Sequence, residues 1–119
     1  MRKIWYSNFI RQPGSYSILL PYGMEYNGEV VPQRYGIIAE AMGLDTTKKN
    51  DRECVTAATE KLREFSQRIG ISEKLSDWGV KESSLEDVAK MALKDPAMVT
   101  NPRRPNHYEE ILAILTRAL

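Results

Sequence analysis

The sequence has very few of the residues that build disulfide frameworks and transition-metal sites. Among 119 residues there is one cysteine, Cys54, and one histidine, His107. A single cysteine excludes an internal disulfide and suits a reducing compartment, so we expect a cytoplasmic protein. Transition-metal sites usually draw on several histidine or cysteine ligands. We therefore interpret Cys54 as a small buried hydrophobe and His107 as a surface residue.

The chain also lacks a large net charge and a long hydrophobic run. Its net charge is +1, so we expect no binding to nucleic acid or to an anionic membrane. Its densest apolar run, residues 17–27, is shorter than the roughly 20 residues that span a bilayer. No apolar segment typical of a signal peptide follows the basic N-terminus. Glycine-rich GxGxxG and Walker loops are missing, so no motif predicts a phosphate cradle.

The apolar run at 17–27 is the feature around which the other helices are expected to pack. Its apolar residues are Ile18, Leu19, Leu20, Tyr22, Met24 and Tyr26. A helix that is apolar nearly all round is usually buried on most sides. Pro21 leaves two alternatives: a helix kinked at this residue, or a strand-like lead at 15–20 followed by a helix that begins there. Asn27 and Gly28 are expected to end the helix.

Helical periodicity predicts four further helices and no other strand. They cover residues 31–43, 51–69, 85–94 and 106–119. Asn50 with Glu53, and Asn106 with Glu109, have the spacing of a capping box. In the helix at 51–69, apolar residues recur at steps of three or four, which predicts a continuous inward stripe: Val55, Ala58, Leu62, Phe65 and Ile69.

Two loops separate the later helices. The loop at 71–80 is expected to be anchored by Ile71, Leu75, Trp78 and Val80. Ser83 or Ser84 is expected to cap the helix that follows. The loop at 97–106 is stiffened by prolines. Its two arginines could hold a phosphate or carboxylate, although solvated arginines are the more common arrangement in such a loop.

Seven short motifs, in this order along the chain, resemble the C-terminal helical domain of iron-containing (group III) alcohol dehydrogenases. They are ILLP at 18–21, MEYN at 24–27, IAEAMG at 38–43, WGV at 78–80, LKD at 93–95, NPR at 101–103 and EILAIL at 110–115. No single motif is specific, but the ordered set is. The resemblance implies an all-α fold, a single helical domain of about five helices at 15–119, preceded by a divergent N-terminal arm at 1–14.

The resemblance also implies the chemistry of the whole enzyme. In that family the helical domain packs against an N-terminal domain that binds NAD or NADP. A divalent metal, iron or zinc, lies between the domains and polarises the alcohol or carbonyl oxygen, while hydride passes to or from the nicotinamide. The loop around 97–101 approaches this cleft. Ala97, Asn101 and Arg103 are therefore candidates for former cleft-lining residues.

The sequence departs from the family at the metal site. The family's ligands are an aspartate and three histidines, mostly upstream of the matching region, and the last histidine lies in a Pro-His-Gly element. Ungapped alignment backwards from Pro21 places Gln12 at that histidine, and Gln12 joins the former cleft-lining candidates. Glutamine is a poor substitute for imidazole, and one ligand would not hold the ion. We expect no catalytic, metal-binding or cofactor-binding residue in this chain.

Three functional hypotheses follow. The first is a stand-alone helical domain without dehydrogenase activity by itself. The second is an interaction or oligomerisation module, in which Trp5, Tyr6 and Phe9 cover apolar surface bared by the lack of a partner domain. The third is one half of a split alcohol dehydrogenase, completed by a separate nucleotide-binding chain. The candidate partners are thus a second copy of the chain or a nucleotide-binding chain.

Overall fold

The computed structural model describes residues 13–71 and 74–119, with side chains described from residue 17 onward. Five α-helices occur in these ranges: α1 Pro13–Gly28, α2 Tyr35–Ala41, α3 Asp51–Arg68, α4 Glu82–Leu93 and α5 Tyr108–Ala118. Three 3-10 turns connect them at Pro32–Arg34, Leu75–Trp78 and Pro96–Thr100. The described ranges contain no β-strand, so the all-α prediction is confirmed.

Helix α1 continues through Pro21 without interruption. The alternative of a strand-like lead at 15–20 is therefore wrong. A proline in a helix interior removes one backbone donor and clashes with the preceding turn. Here Pro21 and Ile18 are buried. A helix pairs its own backbone N–H and C=O groups, whereas a buried strand without a neighbouring strand would leave these groups unpaired. Burial of this segment therefore favours a helix.

The described side chains form two apolar clusters that α1 joins. The first cluster brings together α1, the Leu75–Trp78 turn, α4 and α5; its buried members are Ile18, Leu75, Val80, Leu85, Val88, Ala89, Ala92, Ile111, Leu115 and Ala118. The second cluster consists of Tyr35, Ala39, Cys54 and Ala58, with Met24 of α1 packed against it. Helix α1 thus contributes to both, which confirms that it is the central element.

Local sequence signals fixed several of the helix ends. Asn50 caps α3, with its Oδ1 accepting from the Glu53 amide at 2.8 Å, while a Glu53 carboxylate oxygen accepts from the Asn50 amide at 3.3 Å. The predicted capping box is confirmed. Gly43 follows α2 with φ of +83°, and Gly79 closes the Leu75–Trp78 turn with φ of +81°. These are left-handed conformations that glycine adopts at little cost.

The predicted inward stripe of α3 is wrong at its C-terminal end. Ala58 is fully buried, but Phe65 is 56% exposed and Ile69 is 54% exposed. The buried residue in this part of the helix is Ser66. Helix α2 has only seven residues, and its buried side chains pack near the beginning of α3. Periodicity identified the apolar face correctly, but could not show where the covering helix ends.

Two predicted caps and one predicted anchor also need correction. Helix α4 begins at Glu82 after Lys81 and has no side-chain cap. Helix α5 begins one residue later than expected, so that Glu110 rather than Glu109 accepts from the free amides of its first turn. Trp78 is 50% exposed and anchors its loop less than Leu75, which is fully buried.

Candidate functional site

A pocket of about 380 Å³ lies between α1, α4, the Pro96–Thr100 turn and α5. Its walls are mainly aliphatic, with Leu19 on α1, Val88 on α4 and Ile111 on α5. Small residues leave the space open: a Cβ built on Gly23 would meet no atom within 4 Å, and Ala97 lines the wall contributed by the turn. A pocket of this size and character suits the carbon skeleton of a small organic molecule.

An amide pair supplies the polar part of the pocket wall. Asn101 Nδ2 donates to Asn27 Oδ1 at 2.8 Å and to the Arg103 carbonyl at 2.6 Å. Asn27 and Asn101 both line the pocket. Because the two residues are far apart in sequence, their hydrogen bond ties the loop after the Pro96–Thr100 turn to the end of α1. The pocket therefore has an orienting polar group at one place on an otherwise apolar surface.

Arg103 lies outside the pocket lining and stacks on Tyr26, which belongs to the lining. Its guanidinium carbon lies 4.1 Å from the centre of the Tyr26 ring, and its Nη1 lies 3.5 Å from the Tyr26 carbonyl oxygen. The Tyr26 hydroxyl donates to Glu110 Oε1 at 3.2 Å. Burial, followed by this hydrogen bond to Glu110, raises the pKa of Tyr26 above its ordinary value, and Arg103 opposes the shift. Stacking on the ring occupies the guanidinium.

The structure brings some of the candidate residues together and leaves others apart. Ala97 and Asn101 line the same pocket, whereas Arg103 stacks on Tyr26 outside its lining. Gln12 lies outside the described residues. Whether these residues line the cleft of a larger enzyme stays a prediction, because that cleft requires groups beyond the described residues.

Sequence reasoning missed the contribution of α1 to this pocket. Leu19, Gly23 and Asn27 lie four residues apart, so they share one face of the helix. The signal was present in that spacing. From the sequence alone, however, Asn27 is expected only to end the helix, and the apolar residues of α1 are expected only to form core. The opposing wall from α4 and α5 could not be predicted from local pattern.

The described residues do not assemble a metal site. Nowhere in 13–71 or 74–119 do three histidine, cysteine or carboxylate side chains converge in a way that could hold an ion. Cys54 is 3% exposed within the second cluster, as expected for a small buried hydrophobe, and His107 is exposed. Asp95 lies at the pocket, where its carboxylate accepts from the Ala97 amide at 2.9 Å. The donor set present here does not fit iron or zinc.

No helix within the described ranges is long and apolar enough to cross a bilayer.

Comparison with known proteins finds relatives among dehydrogenases and reductases. The chain is 37% identical over 102 residues to 1,3-propanediol dehydrogenase of Klebsiella pneumoniae, covering 86% of this chain and 26% of that protein. It is 33% identical over 87 residues to lactaldehyde reductase of Escherichia coli strain K12, covering 73% and 23%. Among solved structures, a 1,3-propanediol oxidoreductase superposes with a TM-score of 0.85 at 36% identity, covering 89% of this chain and 28% of the other.

The chain thus spans about a quarter of the length of the curated relatives it matches. A family model, in contrast, matches most of this chain. Residues 13–119 match the model described as Fe-containing alcohol dehydrogenase family, C-terminal. The high TM-score and the all-helical architecture agree with that assignment. This chain therefore belongs to the iron-containing alcohol dehydrogenase family and corresponds to the helical C-terminal part of its members.

Proposed function

We propose that this chain is a helical domain of the iron-containing alcohol dehydrogenase type that has no dehydrogenase activity by itself. The observation that carries the proposal is the match of residues 13–119 to the C-terminal part of the family, combined with a donor set that does not form a metal site in the described ranges. In such a domain, the family's helical scaffold is kept while the chemistry depends on groups supplied elsewhere.

The expected cofactor behaviour follows from the same reasoning. The family uses iron or zinc together with NAD or NADP. Gln12 occupies the position that the resemblance assigns to the last histidine ligand, and a neutral amide is a weak ligand compared with imidazole. The 119 residues contain no glycine-rich phosphate loop. We infer that the chain alone binds neither a metal ion nor a dinucleotide stoichiometrically. We also infer a cytoplasmic location, because a single cysteine suits a reducing compartment.

The pocket supports a proposal for what the domain contributes to a complete enzyme. Its wall includes Ala97 and Asn101, on the loop that is expected to face the cleft in the family. Apolar walls with one amide pair suit the carbon chain of an alcohol or aldehyde, with its oxygen reaching towards a metal that another part would hold. The domain's part in that reaction is to bind and orient the carbon chain and to exclude water.

The decisive experiment measures activity and metal content on the same purified chain. NADH and NADPH oxidation would be followed with propanal and lactaldehyde in the presence of iron or zinc. The full-length 1,3-propanediol dehydrogenase of Klebsiella pneumoniae serves as the positive control. We expect no rate above the blank and no stoichiometric metal. Turnover above the blank, or one metal ion per chain, would overturn the proposal.

A second candidate function is an interaction module. The described part of the molecule measures 50 × 33 × 19 Å, and its short dimension is about two helix diameters. So thin a body leaves apolar side chains without cover: Leu20, Val30, Ile37, Phe65, Ile69, Trp78 and Val99 are all large hydrophobic residues that are about half exposed or more. Such surface favours a partner, either a second copy or a nucleotide-binding chain.

Light scattering and reconstitution distinguish these partners. A dimer of the purified chain at micromolar concentration would support self-association. Formation of a mixed complex with a separately produced nucleotide-binding domain of a relative, followed by NADH-dependent reduction of an aldehyde, would support the split enzyme. The variant Gln12→His is the matched probe: it should raise metal retention in the mixed complex only if the resemblance places residue 12 at the metal.

A further inference from the structure

Gly23 leaves an open space on the face of α1 that lines the pocket. Leu19, Gly23 and Asn27 lie four residues apart on this face, and all three belong to the lining. A Cβ built on Gly23 meets no heavy atom of another element within 4 Å. The three positions span about 12 Å along the helix axis. Glycine inside a helix costs stability relative to alanine, and no close contact requires it here.

The size of the pocket favours a medium-length carbon chain. Its volume of about 380 Å³ is about thirteen times the roughly 30 Å³ that one water molecule takes in the liquid, and a methylene group is of similar size. A three-carbon alcohol would fill about a third of this volume, whereas an eight-carbon alcohol would fill about 70%. An extended chain advances about 1.2 Å per bond, so eight carbons and one oxygen extend about 10 Å. This length matches the span from Leu19 to Asn27.

One hydrogen-bonding place lies at the Asn27 end of this face. Asn101 Nδ2 donates both of its hydrogens, one to Asn27 Oδ1 at 2.8 Å and one to the Arg103 carbonyl at 2.6 Å. Within the described residues, Asn27 Nδ2 and Asn101 Oδ1 make no hydrogen bond. A ligand hydroxyl can accept from the first atom and donate to the second, and a carbonyl oxygen can accept from the first.

The charges at the pocket disfavour an anionic ligand. Asp95 contributes a carboxylate to the lining. No lysine, arginine or histidine from the part of the chain that the structure describes lines the pocket. Like charges that meet in a partly desolvated site repel each other strongly. A fatty acid would bring its carboxylate near Asp95 without a counterion, whereas an alcohol or an aldehyde is neutral.

We propose that the pocket selects an unbranched alcohol or aldehyde of about eight carbons, and that Gly23 sets this chain length by leaving space for the methylene groups. The inference rests on the proposed function for the kind of ligand, and it adds the chain length and the residue that determines it. Binding by the chain alone requires neither metal nor dinucleotide, because the walls come from α1, α4, α5 and the Pro96–Thr100 turn.

Titration of the metal-free chain with 1-propanol, 1-hexanol and 1-octanol tests the proposal. Two-dimensional NMR of the backbone amides gives both the affinity and the place of binding. We expect saturable shifts at Gly23 and Ala97 with 1-octanol. The dissociation constant should fall by about fourfold for each added methylene, as expected when one methylene group after another is buried. Octanoate should bind about tenfold or more weakly than 1-octanol.

Substitutions at Gly23 test its role directly. Gly23→Leu places a side chain in the space that the ligand needs, so it should weaken binding of 1-octanol by about tenfold or more. Gly23→Ala is the smaller change and should weaken it by about fourfold, the equivalent of one methylene group. This variant should fold at least as well as the unaltered chain, since alanine is favoured over glycine in a helix. Circular dichroism and thermal unfolding check that both variants fold.

Gly36 provides the matched control. It lies in α2 and outside the pocket lining, and a Cβ built there also meets no heavy atom of another element within 4 Å. Gly36→Leu and Gly36→Ala should leave the affinity for 1-octanol unchanged. Equal effects at the two glycines would contradict the role of Gly23. An affinity that does not rise from 1-propanol to 1-octanol, or shifts confined to residues outside the pocket, would overturn the proposal.

The outcomes for this inference and for the proposed function are distinguishable. The titration contains no metal and no dinucleotide, and its readout is binding. Absence of saturable binding would overturn the chain-length inference and leave the proposed lack of dehydrogenase activity standing. Turnover by the chain alone would overturn that proposed lack of activity, while the affinities of the alcohol series would still decide the chain-length inference.

Discussion

The two apolar clusters of this domain are built from different parts of the chain. The first extends from Ile18 on α1 to Ala118 on α5 and consists largely of leucine, isoleucine and valine. The second lies within residues 35–58 and, apart from Tyr35, its buried members are small. The first cluster therefore gains most from removing apolar surface from water, whereas the second depends on close helix approach and on one tyrosine. We therefore expect the stability of the fold to be concentrated in the α4 and α5 half.

One leucine truncation beside each cluster tests this comparison with the largest expected effect. Leu85 is 1% exposed in the first cluster, and Leu85→Ala should lower the free energy of unfolding by about 3 kcal/mol. Leu44 is a partly buried residue packed on the second cluster, and Leu44→Ala should cost about 1.5 kcal/mol. Urea unfolding followed by circular dichroism measures both. Equal losses would show that the clusters contribute equally, contrary to the comparison.

The second cluster can be probed through its single large polar group. The Tyr35 hydroxyl donates to the Met24 carbonyl at 2.6 Å, and Tyr35 is 4% exposed. Tyr35→Phe should cost about 1 kcal/mol, since one buried hydrogen bond is lost while the ring is kept. Tyr108→Phe is the control, because its hydroxyl bonds Glu86 at the exposed surface at 3.4 Å. A change of similar size in both variants would remove any special role for Tyr35.

Glu25 links the two regions electrostatically. It pairs with Arg63 of α3 at 2.7 Å and with Arg117 of α5 at 3.0 Å, and both guanidinium groups lie within 5.2 Å of the Tyr22 ring centre. Glu25→Gln should lower stability by about 0.5–1 kcal/mol at low salt, with a smaller loss at high salt. Glu29→Gln removes a more exposed pair with Arg52 and should change less. Salt-independent losses would argue against an ionic contribution.

The smallest expected effect is pH-dependent and lies at the start of α5. The backbone amides of Asn106 and His107 donate to Glu110 Oε2 at 2.7 and 3.2 Å, and these bonds lower the pKa of Glu110. A carboxyl with a lowered pKa in the folded state stabilises above its unfolded pKa, and this contribution is lost as pH falls through the folded pKa.

Glu110→Gln should therefore reduce stability at neutral pH and flatten the decline of stability on acidification. Thermal unfolding at a series of pH values measures this slope. Glu109→Gln, one residue earlier on the exposed side of the same turn, is the control and should leave the slope nearly unchanged. A steeper decline for Glu110→Gln would contradict the assignment of Glu110 as a carboxylate that caps α5.

Local rules in the sequence predicted the elements better than their packing. Periodicity identified the five α-helices of the described ranges, and the Asn50 capping box and the turn at Gly79 formed as expected, because each depends on neighbouring residues alone. The same rules failed at Phe65 and Ile69. Whether an apolar residue is buried depends on the length of the helix that packs against it, and seven residues of α2 are too few.

The candidate site shows the same limit. Ala97 and Asn101 were identified through the family resemblance, and the structure places both in one pocket. The contribution of Gly23 and Asn27 was missed, since their role exists only because the loop at 101–103 returns to α1. The hydrogen bond between Asn27 and Asn101 joins residues that no local spacing connects.

By itself, the sequence determined that this protein is an all-α domain of the iron-containing alcohol dehydrogenase family, because helix periodicity, caps and ordered motifs are local properties of a chain. Only the tertiary structure decided which apolar faces are covered, where the pocket lies, and that Arg103 stacks on Tyr26. These depend on the relative lengths and directions of helices that are distant in sequence, and it is packing that determines them.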